Sequence, residues 1–161
     1  MTHVRFDFRR LEESPASGFD LGYMVMEVEA EHSSSAEMNQ SMMIYLAIAD
    51  LLVGLCSLAE GRRKRFEFVG ADSSYAILFN VDGKQWTIAA SRRPLGQLLP
   101  CAILQAVLEA VRRFTARPEN QLLPSDSAYE DFFGAVRTFE VRVSARCGSA
   151  AQGPRRKIRS T

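Results

Sequence analysis

From Tyr75 to Ala90 apolar and polar residues alternate on either side of Asp82-Gly83, the pattern of a two-stranded hairpin. A type I′ turn at Asp82-Gly83 predicts Val81 opposite Lys84, and with it Phe79 opposite Trp86, Ile77 opposite Ile88 and Tyr75 opposite Ala90. The two-residue side-chain period puts the last three pairs on one face and Asn80, Leu78, Ala76, Gln85, Thr87 and Ala89 on the other. The same alternation runs through Val4, Phe6 and Phe8, and through Met24, Met26, Val28 and Ala30, which predicts two half-buried strands. They are joined by the Pro- and Gly-containing loop LEESPASGFDLG as an antiparallel pair. Phe66 and Phe68 open a further strand ahead of the hairpin.

Helical spacing takes over elsewhere. Ser33 to Ser35 offer N-cap hydroxyls to a helix that can run to Ala59 and close at Gly61, the left-handed position a helix end favours. It is apolar nearly all round, with Asp50, Gly54 and Ser57 as a narrow polar stripe, and is expected to be the central helix. Ile103, Leu104, Val107, Leu108, Val111 and Phe114 follow the i, i+3, i+4, i+7 rule between Pro100 and Pro118. Ser127 to Glu130 reads as a capping box that launches a short helix burying Tyr129, Phe132, Phe133 and Val136. Phe139, Val141 and Val143 fit either a continuation of that helix or a last strand. The expectation is a single α+β domain over residues 1–147 in the order ββαβββαα. It has an antiparallel sheet of about five strands, a long central helix, and two further helices mainly on one face.

Composition narrows the class without naming a function. A chain of 161 residues, 47% hydrophobic and 24% charged, is ordinary for one globular domain. Its net charge of +1 hides an asymmetry: up to Glu140 there are 19 acidic and 14 basic residues, a balance of −5. Beyond it lie Arg142, Arg146, Arg155, Arg156, Lys157 and Arg159 with no acid. Residues 148–161, small and basic without an apolar pattern, are expected to form a disordered tail. Cys56, Cys101 and Cys147 are odd in number and widely spaced, which suggests free thiols in a reducing compartment. The opening MTHVRFDFRR does not resemble a signal peptide, so a cytoplasmic location is expected. Met42 to Leu58 is apolar enough to raise the question of a membrane span. A central Asp50 costs about 2.5–3.5 kcal/mol on insertion, however, and the run is short, so it reads as a buried core helix.

No residue pattern announces chemistry. His3 and His32 are isolated and no CxxC, HxxxH or HExxH spacing occurs, so no metal is expected; no Gly-rich phosphate loop and no cofactor motif is present. GxSxG is absent, and Cys101, near a helix start but beside its apolar face, is the best available thiol nucleophile. Glu27, Glu29 and Glu31 would form an acidic ladder along one strand, extended by Glu12, Glu13 and Asp20 on the adjoining loop, a surface suited to a basic protein partner. Asp50 and Ser57 are the candidate buried polar site, because an acid in an apolar helix must reach water, a partner or a pocket.

An α+β domain with an acidic face and no catalytic constellation resembles bacterial toxin-neutralising immunity proteins in architecture and charge. The leading expectation is a non-enzymatic protein-binding module of immunity or regulatory type, meeting a basic partner through Glu27, Glu29, Glu31, Glu12 and Glu13. One alternative is a small enzyme of unspecified reaction with a pocket around Asp50. Another is an accessory protein whose basic tail makes weak, sequence-indifferent nucleic-acid contacts.

Overall fold

Phe6 and Phe8 face Met26 and Met24 across the first strand pair, and these four fully buried side chains begin the core. The computed structural model describes residues 3–12 and 14–148. Its elements are β1 (Val4–Arg10), β2 (Leu21–Val28), β3 (Glu31–Ser34), β4 (Met42–Met43), α1 (Ile44–Ala59), β5 (Arg65–Val69), β6 (Ala76–Asp82), β7 (Gln85–Ala90), β8 (Arg93–Leu98), α2 (Pro100–Ala116), a 3₁₀ turn (Pro118–Asn120) and α3 (Tyr129–Cys147). The fold is α+β with antiparallel strands, as expected. The strands make two four-stranded sheets, however, rather than one of about five. In the first, β2 is flanked by β1 on one side and by β3 and β4 on the other; the second runs β5-β6-β7-β8.

Three departures from the sequence pattern have physical causes. The Met24-to-Glu31 strand ends early, because the chain reverses at Glu29-Ala30 and pairs Val28 with Glu31 and Glu27 with His32. Glu29 takes a φ of +51° in that turn, and its N–H donates to the His3 carbonyl at 2.8 Å. Ser33 and Ser34 are therefore strand residues and Ser35 opens the turn after them, and none of the three caps a helix. Ser35 Oγ accepts from the Met24 N–H at 2.9 Å, and the Ser33 hydroxyl bonds the buried Tyr75 hydroxyl at 2.8 Å. With those hydroxyls engaged, α1 starts only at Ile44, after Met42 and Met43 have paired with Gly22 and Leu21.

The hairpin forms with its predicted faces and a different register. Asp82 pairs with Gln85, so Gly83-Lys84 is the two-residue turn, and Val81 faces Trp86, Phe79 faces Ile88 and Ile77 faces Ala90. Positive φ falls on Gly83 (+60°) and not on Lys84 or Asp82, the type II′ pattern. Glycine adopts that φ without the Cβ penalty that Asp82 would meet in the type I′ alternative. Because each partner moves by two residues, no side chain changes face, and Ile77, Phe79, Trp86, Ile88 and Ala90 are all buried.

Pro94 and Gly96 conceal β8 in the sequence, since both argue against a strand interior. It is an edge strand, where a missing N–H is tolerated. A Cβ on Gly96 would lie 2.8 Å from Val28 Cγ1, so glycine is what lets the two sheets meet at this point. Arg93 reinforces the junction by donating to the His32 carbonyl of β3.

α2 covers β1, with Ile103, Leu104, Val107, Leu108, Val111 and Phe114 buried as their spacing predicts. Gly54 of α1 admits the Phe66 ring of β5, which stacks on Phe79 with centroids 5.9 Å apart. α3 packs on both other helices and extends through Phe139–Val143, which settles that segment as helix. The capping box does not form. Ala128 holds the cap position, and Asp126 serves the helix start, its carboxylate accepting from the N–H of Ala128 (2.9 Å) and of Gly18 (3.0 Å).

One core unites both sheets and all three helices. Trp86, 2% exposed, is its largest side chain by atom count. Trp86→Ala is expected to lower unfolding free energy by about 3–5 kcal/mol through lost burial and the cavity left behind. Urea denaturation followed by circular dichroism measures it, and a loss under about 1 kcal/mol would show that the site collapses without penalty.

Candidate functional site

α1 and α3 lie side by side and run in the same sense. At one end the Tyr45 ring meets Phe132 with centroids 5.2 Å apart, and at the other Glu60 pairs with Arg142 while Arg146 donates to the Ala59 carbonyl. Their outer shoulders leave a groove of about 540 Å³. Its apolar lining comes from Leu46, Ala49 and Val53 of α1 and Ala135 of α3; Val53 is 60% exposed, unusual for a valine on the central helix. Gly134 also lines it, and a Cβ there would meet nothing within 4 Å, so the groove stays open at that position for want of a side chain.

Carboxylates border this lining. Asp50 stands on α1, and Glu130 and Asp131 stand in the first turn of α3, where the helix dipole favours negative charge. None of the three has an ion-pair partner among the described residues. At the far end Glu60 is neutralised by Arg62 and Arg142. Partial burial lifts the Asp50 carboxyl above its ordinary value, as expected for a charge beside apolar surface without a cation. Chemically the groove offers apolar contact flanked by three uncompensated negative charges.

The acidic surface predicted from sequence is dispersed. Glu27, on β2, takes a bond from His3 at 3.2 Å and faces Arg5 and His32 across the sheet. Glu29 sits in the turn, and Glu31 lies on β3 and pairs with Arg93 at 3.3 Å. The ladder along one strand therefore does not exist, because the chain reverses between its members. Glu12 accepts from the Ser14 hydroxyl at 3.3 Å, and Glu13 lies outside the described residues. Asp20 is 5% exposed and pairs with Arg10 at 3.0 Å, so it is an interior residue and not a surface one. Asp50 and Ser57 do share the groove. Glu130 and Asp131 join them from the first turn of α3; the local sequence marks only Glu130, which with Gly134 and Thr138 falls on one side of the helix.

Thiol chemistry is redistributed as well. Cys101 and Cys147 are joined in a disulfide with Cα atoms 5.7 Å apart, tying the start of α2 to the end of α3. This overturns the expectation of three free thiols and removes Cys101 as a nucleophile. Cys56 is the free cysteine, buried beside the groove, and burial pushes its thiol pKa up, the direction that makes it inert. Among the described residues no group of three His, Cys, Asp or Glu side chains is placed to hold a metal, and no helix is long and apolar enough to cross a membrane. The predicted tail, with Arg155, Arg156, Lys157 and Arg159, lies outside the described residues.

Against this geometry, comparison with known proteins is silent: no family model, no curated protein and no solved structure matches the chain.

Two outcomes follow from the thiols and from Asp50. Unfolded without reductant, the chain should react through one thiol, Cys56, and through three after reduction; reduction should also lower stability by about 2–4 kcal/mol. Thiol titration in guanidinium with and without dithiothreitol reads the first, and three reactive thiols before reduction would refute the pairing. A raised Asp50 pKa means that ionising this group opposes folding. The penalty is absent below the ordinary carboxylate value and complete above the raised one. Asp50→Asn should therefore stabilise the fold at neutral pH and leave it unchanged in acid, as thermal melts across that range would show.

Proposed function

We propose that this chain is a non-enzymatic protein-binding module whose α1/α3 groove receives a basic, partly apolar segment of a partner protein. The observation that carries the reading is the conjunction of an apolar groove with Asp50, Glu130 and Asp131, three carboxylates that no described cation neutralises. Apolar contact supplies affinity, and the like-signed border selects a cationic partner and speeds encounter. An immunity-type or regulatory role agrees with such a surface. It moves the contact from the strand face to the helices, since Glu27 and Glu31 already have local partners.

The presence of Asp50 and Ser57 in one groove is what favours the small-enzyme alternative. Against it stand the access of water to Asp50, only part of which is buried, and the loss of Cys101 to a disulfide. A groove bordered by carboxylates also repels phosphate, which weighs against nucleic acid at this site. The Cys101–Cys147 bond supports an oxidising compartment over the cytoplasm.

A fluorescent amphipathic peptide with lysine and leucine at helical spacing serves as a defined probe. Wild type should bind it in a salt-sensitive manner, and D50K/E130K/D131K should weaken binding at least about tenfold, on the scale of 1.4 kcal/mol per decade. E27K/E29K/E31K should leave it within about twofold. Binding should weaken as pH falls, beginning higher than for an ordinary carboxylate because the Asp50 pKa is raised. Anisotropy titration measures all of these, and the opposite ranking of the two triple variants would return the contact to the strand face.

A further inference from the structure

The start of the segment that follows α3 is held in place: Cys147 is bonded to Cys101, and Arg146 reaches the Ala59 carbonyl at the Glu60 end of the groove. From Gly148 back to Asp131 is 17 residues along α3, about 26 Å at 1.5 Å per residue. A chain leaving Gly148 and returning along the groove advances about 3.3 Å per residue when extended, so Arg155 to Lys157 fall about 23–30 Å away. That is the distance to Asp131 and Glu130; Asp50, nine residues before Ala59 on α1, lies only about 14 Å back from the Arg146 contact and is passed on the way. Arg155, Arg156, Lys157 and Arg159 supply four positive charges against those three carboxylates, with Ile158 among them for the apolar lining.

Neighbouring surfaces offer no comparable attraction. The shallow cleft between α2 and α3 has Glu109, but Arg112 lines it too and is itself paired with Glu140 at 3.6 Å. The outer face of β1 and β2 balances Arg5 and Arg9 against Asp7 and Glu27.

We propose that the basic segment Arg155–Arg159 of this chain occupies the α1/α3 groove as a built-in competitor of the partner, an inference that rests on the groove being the binding site. Tethering gives such a segment an effective concentration of order millimolar, so even a weak intrinsic contact occupies the site much of the time. A partner must then displace it, and displacement needs a better apolar anchor than Ile158 provides.

The full-length quadruple variant R155Q/R156Q/K157Q/R159Q tests this with the lysine–leucine probe. It should bind the probe about five- to tenfold more tightly than wild type at low salt. A synthetic peptide of residues 149–161, added in trans, should displace the probe from the quadruple variant. Gly134→Phe, which places a ring in the groove where nothing is contacted, should abolish the gain. Equal probe affinity for wild type and quadruple variant would overturn the inference and leave the groove as the site. A gain that persists with Gly134→Phe would be long-range charge alone and would also overturn it. Failure of both proteins to bind the probe would remove the underlying reading, and the inference with it.

Discussion

Arg10 is the buried charge around which this molecule closes. Its side chain is 2% exposed, and taking a guanidinium out of water costs several kcal/mol unless every donor is met. Asp20 accepts one bond at 3.0 Å, the Ser14 and Glu119 carbonyls accept at 2.8 and 2.7 Å, and Asn120 Oδ1 accepts from Nε at 3.2 Å. The β1–β2 loop and the connection from α2 to α3 must therefore both fold onto the end of β1. Asn120 carries the constraint inward, donating to the Phe114 carbonyl and accepting through its own carbonyl from the Tyr45 hydroxyl. Burial there raises the Tyr45 pKa to about 12, so this phenol remains a donor wherever the fold is stable. One cation thus registers the first sheet against all three helices.

The groove is a consequence of that registration. Gly18, in the loop held by Arg10 through Ser14 and Asp20, donates to Asp126, and Asp126 in turn caps the approach to α3. The first turn of α3 is thereby placed so that Glu130 and Asp131 share a groove with Asp50. Packing of Tyr45 between Phe114 and Phe132 sets how near α1 and α3 can come, and Gly134 leaves their outer shoulder unfilled. The three carboxylates line one groove, and none has an ion-pair partner among the described residues. The disulfide closes the opposite end, where α2 begins and α3 stops.

Strands, helices and faces were largely legible in the residues themselves because side-chain period is a local property. Alternation at Phe6 and Phe8, at Met24 and Met26, and at Ile77 and Phe79 marks buried strand faces, and i, i+3, i+4 spacing marks α2, whatever the rest of the chain does. Tertiary structure alone decided matters that turn on a distant partner. Ser33 and Ser35 cap no helix because Tyr75 and Met24 claim their hydroxyls. Asp20 is interior because Arg10 meets it there, and Cys101 is not a free thiol because α3 brings Cys147 alongside. The hairpin register was decided by whether Asp82 must bear positive φ along with Gly83 or Gly83 alone bears it, a distinction that periodicity does not see since a shift by two preserves both faces. The candidate site belongs to this second class: Asp50 was visible as an anomaly on an apolar helix, but its meaning depends on Glu130 and Asp131, some eighty residues further along the sequence. Their convergence is a product of helix packing, and no local pattern encodes it.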